Sequence, residues 1–89
     1  MIRRELRIRN RLGLHARAAA RFVHTASRFR SRVTAGRDGQ TMDGKSILGI
    51  LLLAASQGTL IEVVAEGPDE TEAIEALAAL VEGGFGEDS

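Results

Sequence analysis

The chain has no cysteine, no tryptophan and no tyrosine, and only one proline and one lysine in 89 residues. Without cysteine, neither a disulfide nor a thiolate metal site can form. Three Phe are the whole aromatic complement, too few for a platform on which nucleobases stack. The apolar run Ile50 to Ala55, which no other in the chain exceeds, is far too short to span a bilayer. The basic start, Met1 to Glu5, is not followed by the apolar stretch of a signal peptide. These absences point to a cytoplasmic chain with no insertion into a membrane, no metal and no cofactor. The length fits one domain, residues 1–89, which buries roughly 60–65% of its unfolded surface. That leaves no room for a deep substrate cleft, so any chemistry belongs at the surface or is completed by a partner. A free-standing enzyme is correspondingly disfavoured.

Charge is balanced overall but not along the chain. Residues 1–37 hold eleven arginines against the single acid Glu5, whereas residues 38–89 hold Lys45 as the only base among eleven acids. Either the arginines cluster in space and favour an anionic partner, or folding interleaves the two halves.

Hydrophobic periodicity divides the chain into seven elements. Ile2 to Ile8 alternates apolar and charged residues and reads as a half-buried strand. Asn10 to Leu14 reads as a loop. In Ala16 to Ser27, Ala19, Phe22, Val23 and Ala26 recur at helical spacing, with Arg17, Arg21, His24 and Arg28 on the other face. Ser31 to Ala35 and Gln40 to Met42 read as strands joined by the turn Gly36 to Gly39. Ser46 is the expected N-cap of a second helix, which ends before Gly58. Thr59 to Ala65 is the clearest strand. Asp69 and Glu70 open a third helix, where acids suit the dipole. Its buried face is Ile74, Leu77, Leu80 and Val81, Gly83-Gly84 stops it, and Phe85 to Ser89 remains as a tail. The order βαββαβα predicts an α+β sandwich, one sheet with the helices on one face.

Three features bear on chemistry. Gly13-Leu14-His15-Ala16-Arg17 puts an imidazole where loop meets helix, and a helix start offers unpaired N–H groups and the positive dipole end to an anion. His15 is thus a candidate nucleophile beside a phosphate cradle, with Arg17 supplying a planar donor fork. It could equally serve as a plain helix cap. The second feature is Gly39 to Ser46, which satisfies the string G-x-x-x-x-G-K-[ST]. Its preceding strand is short and polar and its host is small, so the match is read as coincidence. The third is the second helix, apolar nearly all round. Ile50, Leu53 and Ala54 form one stripe, and Ile47, Leu48, Leu51 and Leu52 another. Such a helix is either central or exposes a patch to a partner. The Arg17, Arg21, His24, Arg28 face also suggests nucleic acid. The acidic second half and the lack of stacking aromatics count against that.

Asn10-Arg11-Leu12-Gly13-Leu14-His15-Ala16-Arg17, Gly44-Lys45-Ser46-Ile47-Leu48-Gly49, Leu53-Ala54-Ala55-Ser56-Gln57-Gly58 and Ala65-Glu66-Gly67 together resemble HPr. This is the histidine phosphocarrier family of the phosphoenolpyruvate-dependent phosphotransferase system, and the likeness runs from about Leu6 to Glu87. The resemblance implies an open-faced sandwich, a four-stranded antiparallel sheet under three helices. It implies that His15 takes a phosphoryl group on Nδ1 from phosphorylated Enzyme I and gives it to enzyme IIA-type domains, serving sugar uptake or regulation. It implies Arg17 as the phosphoryl-binding side chain and Ser46 as a regulatory site for HPr kinase/phosphorylase. Ala20, Arg21, His24, Ile47, Leu48, Leu51 and Leu52 form the implied partner surface of a monomeric carrier that binds no nucleic acid. Two positions depart from the common pattern. Ala18 stands where many members have Pro, as in some members of nitrogen-related regulatory chains not coupled to sugar transport, and Asp43 stands where Asn is common.

Overall fold

In a computed structural model that describes residues 1–87, the elements follow the order β1 (Ile2–Arg7), α1 (Ala16–Ser27), β2 (Arg32–Arg37), β3 (Gln40–Asp43), α2 (Ile47–Leu52), β4 (Leu60–Glu66) and α3 (Glu70–Glu82). A short 3-10 turn, Gly84–Gly86, follows α3. The strands make one antiparallel sheet in the order β1-β4-β2-β3, and the helices cover one of its faces. This is the expected α+β open-faced sandwich.

Alternation along the strands decides which face is covered. Leu6, Val33, Ala35, Ile61, Val63 and Ala65 are buried under the helices. Arg3, Glu5, Arg7, Arg32, Glu62 and Glu66 lie on exposed positions between them. Pairing sets Arg32 opposite Glu66, and Arg3 reaches Glu62 at 3.7 Å, so on the sheet the two charge halves interleave. They do not interleave on α1, where Arg17, Arg21, His24 and Arg28 are all exposed.

α1 buries Ala18, Ala19, Phe22 and Ala26. Small residues let it approach the core closely, while Val23, expected in the core, sits half-buried at its margin. Leu80 of α3 is half-buried in the same way. β2 and β3 are joined by Asp38 and Gly39, both at positive φ (53° and 82°), beyond the closing pair Arg37–Gln40. A two-residue turn of this hand matches the twist of the strands it joins. The segment Gly39 to Ser46 is therefore a hairpin tip followed by a strand, which disposes of the nucleotide-loop match.

β2 continues through Gly36 and Arg37, read from sequence as turn, because both pair with β3, and two further boundaries differ more. α2 ends at Leu52, well before Gly58, with Ala54 at φ 50°. Leu53 and Ala55 are both buried, at 2% and 3% exposure. A continued helix would have pointed residues two apart to different faces, so the chain leaves the helix to bury both. The segment from Phe85 is not a loose tail over its described part. Phe85 is 1% exposed and belongs to the core. Asp88 and Ser89 lie outside the described residues.

Candidate functional site

The loop between β1 and α1 is held from both sides. Gly58 N donates to Ile8 O and Ile8 N donates to Thr59 O, extending the β1–β4 ladder past Arg7. Leu14 N donates to Ala55 O at 2.9 Å. Gly13, at φ 67°, lies so close to that backbone that a Cβ would stand 2.5 Å from Ala55 O. The early end of α2 thus has a use: it presents the Ala55 carbonyl beneath the loop. Asn10, 2% exposed, donates from Nδ2 to Gly13 O at 2.8 Å.

This scaffold delivers His15 as the N-cap of α1. Its carbonyl accepts the first helical bond from Ala19 N, and its Nδ1 accepts from Arg17 N at 3.3 Å. On the far side of the ring, Nε2 lies 2.5 Å from Oε2 of Glu87. Oε1 of the same carboxylate accepts from Asn10 Nδ2 at 3.0 Å. The Asn10 bond, and after it the contact with His15, holds the Glu87 carboxyl below the usual range. One ring nitrogen meets a donor and the other an acceptor, so the proton belongs on Nε2 and the lone pair on Nδ1. The ring is partly accessible, with 27% of the side chain exposed. It borders a hollow of about 420 Å³ lined by Leu12, His15, Ala16, Arg17 and Glu87. The exposed Arg17 guanidinium has no hydrogen-bond partner among the described residues.

A second, apolar hollow of about 660 Å³ runs along α1 beside Ile47 and Leu80. Arg17 belongs to its wall too, together with Ala20, Arg21 and His24. Ile47, Leu48 and Leu52 are exposed at 45%, 67% and 56%. Leu51 is only half exposed and packs against the core. Ser46 caps α2 as expected, its Oγ accepting from Gly49 N at 3.1 Å. Asp43 Oδ1 accepts from Lys45 N at 2.9 Å, shaping the turn before α2. His24 is exposed on α1, two turns beyond the cap. Glu87 and Asn10 were not anticipated as site residues. Asn10 lay inside a recognised motif, whereas nothing local marks Glu87.

Residues 2–83 match the family description "PTS HPr component phosphorylation site". The chain belongs to the HPr family. The phosphocarrier protein HPr of Xylella fastidiosa (strain Temecula1 / ATCC 700964) is 49% identical over 89 residues, covering all of both chains. The crystal structure of HPr-C-His from Thermoanaerobacter tengcongensis superposes with a TM-score of 0.96 at 47% identity, again over all of both chains. A crystal structure described as an HPr dimer from the same organism matches at TM-score 0.79 and 50% identity, covering 92% of this chain and 94% of its own. HPr members are phosphocarriers of the phosphotransferase system and not free-standing enzymes, and this chain is one of them. Among the described residues no helix is long and apolar enough to cross a membrane.

Proposed function

We propose that His15 is the phosphoryl acceptor and that Nδ1 is the atom that carries the group. The observation behind this is the placement of the ring as the cap of α1, with the Nδ1 lone pair turned toward the helix start. The bond it accepts from Arg17 N is long, so it can yield when phosphorus takes the lone pair. The freed N–H groups and the dipole then face the phosphoryl oxygens, and the Arg17 guanidinium adds a charged fork.

Family membership and this geometry support phosphorylated Enzyme I as the donor and enzyme IIA-type domains as acceptors. The apolar strip Ile47, Leu48, Leu52, beside Ala20, Arg21 and His24, is the proposed docking surface, with Leu51 contributing at its buried edge. Ser46, next to that strip, is the proposed regulatory site for HPr kinase/phosphorylase. The chain acts in the cytoplasm as a single-domain monomer, residues 1–89. Service to a nitrogen-related regulatory chain is a second reading, favoured by Ala18. Offering the phosphorylated chain a sugar-specific and a nitrogen-type IIA domain separates the two.

Enzyme I and phosphoenolpyruvate will add one acid-labile, alkali-stable phosphoryl group to the parent chain. They will add none to His15→Ala and one to His24→Ala. Undiminished labelling of His15→Ala would overturn the assignment.

A further inference from the structure

We propose that Glu87 is a positioning residue for phosphoryl transfer: its carboxylate keeps the proton on Nε2 of His15, presents Nδ1 as the reacting nitrogen and balances the charge that the ring acquires. The proposal rests on His15 being the acceptor.

A carboxylate can only accept hydrogen bonds when ionised, and Glu87 faces two donors. The Asn10 amide is oriented by its own partner. Its Nδ2 donates to the Gly13 carbonyl at 2.8 Å, so the same nitrogen, not the oxygen, meets Oε1 of Glu87 at 3.0 Å. Oε2 is left for the ring, 2.5 Å from Nε2. Across the ring, Arg17 N offers a proton to Nδ1. Both sides of the imidazole therefore favour the same tautomer, and the carboxylate also shields Nε2 from an incoming phosphorus.

Glu87 is held in place by its neighbours. Phe85 anchors the segment in the core, and Arg21 Nη1 donates to the Phe85 carbonyl. Among the described residues the charged groups around the pair are thus Arg17 and Arg21 from α1 and Glu87 itself. Both arginines oppose a positive ring. Among the described residues Glu87 is the only acid lining the hollow.

The balance of the transfer gives the carboxylate its work. The Nδ1 lone pair forms a bond to phosphorus while the bond from phosphorus to the donor atom breaks, its electron pair leaving with the donor. The ring now bears phosphorus on Nδ1 and hydrogen on Nε2, and carries one positive charge beside the Glu87 carboxylate. On donation the N–P electron pair returns to Nδ1 and the ring is neutral again, its proton still on Nε2. No proton is taken up or released in either direction.

The test uses phosphoramidate, a small donor that needs no docking surface, followed by alkaline digestion and separation of the two phosphohistidine isomers. The parent will yield the Nδ1 isomer. Glu87→Ala will yield a mixture containing the Nε2 isomer, because that nitrogen is no longer covered. With Enzyme I and phosphoenolpyruvate, Glu87→Ala will also lose about tenfold in rate at saturating Enzyme I, with KM for Enzyme I unchanged, since the contact acts on the chemical step. Nδ1 product alone from Glu87→Ala overturns the proposal whatever the rate. An absence of Enzyme I-dependent label at His15 in the parent would instead remove the reading on which it rests.

Discussion

Arg17 meets His15 through its backbone, and in the proposed function its side chain acts there as well. The N–H orients Nδ1, and the exposed guanidinium is available to a phosphoryl group. Removing the side chain leaves the first role intact. A charge-assisted hydrogen bond contributes roughly 1.5–3 kcal/mol, so Arg17→Ala should slow His15 phosphorylation about ten- to a hundredfold. Its melting temperature should match that of the parent. Initial rates at limiting Enzyme I and a thermal melt check both halves. Asp69 shows the same residue-level economy away from the site. Its carboxylate accepts from Arg30 N and Ser31 N at 2.9 Å and from Ser31 Oγ at 2.5 Å. Those bonds, led by the Ser31 hydroxyl, lower its pKa to about 2 from 3.8. A carboxyl depressed in the folded state contributes stability that is complete above the unfolded value and is lost as pH falls through the folded one. The parent should therefore lose melting temperature between about pH 4 and 2. Asp69→Asn should melt lower at pH 7 and show a shallower acid slope. Equal slopes in a pH series of thermal melts would contradict this. Asp69 was read from sequence as an acid suited to the start of α3, yet its side chain makes no capping bond there. The charge is used instead to tie two loops together.

At the scale of elements, α2 divides into a buried face and an exposed apolar one. Gly49 and Ile50 are its buried residues, whereas Ile47, Leu48 and Leu52 are exposed. Leu48→Glu should leave the melting temperature unchanged and weaken binding to Enzyme I at least tenfold, about 1.4 kcal/mol, because a partner would bury an unpaired charge. Calorimetry gives that number directly. Ser46→Asp should act more mildly in the same direction: Asp is itself a competent cap, so the helix holds while a charge stands beside the strip. An initial phosphorylation rate equal to the parent's would exclude a switch at Ser46. Elements with one strong period were legible to within a residue at their ends. Helix α1 spans the residues that its apolar repeat marked, and the alternation of Ile61, Val63 and Ala65 marked β4. The end of α2 was not legible, since Leu53, Ala54 and Ala55 suit a helix locally. Only the need to bury both Leu53 and Ala55 forces the turn at Ala54, and that need belongs to the tertiary structure.

Across the whole molecule, the charge halves illustrate what pairing adds to sequence. Antiparallel contact of β1 and β2 with β4 sets Arg32 opposite Glu66 and brings Arg3 within 3.7 Å of Glu62. α1 has no such acidic neighbour strand on its outer face; there Arg21 donates to the Phe85 carbonyl, and the Arg17 guanidinium has no hydrogen-bond partner among the described residues. The two halves thus interleave on the sheet, while the arginines of α1 gather on one exposed face. The candidate site was legible only in part for a similar reason. His15 and Arg17 share one motif and one turn of helix, so spacing alone relates them. Glu87 is 72 residues from His15, and its place depends on α3 ending near the loop and on Phe85 entering the core. No local pattern encodes that.

The strand order also sets a timetable. β1 is made first but has a single partner, β4, with Ile2 opposite Ala65 and Arg7 opposite Leu60. On a ribosome, where chains emerge from the N-terminal end, β1 must wait for more than half the sequence before it can join a sheet. Ala55, which supports the loop, comes late as well, and Glu87 later still. Pairings between distant segments close slowly because loop entropy opposes them until they form. A nascent or clipped chain that already displays His15 therefore lacks, until residues 55 and 87 are present, the contacts that hold the loop and the ring.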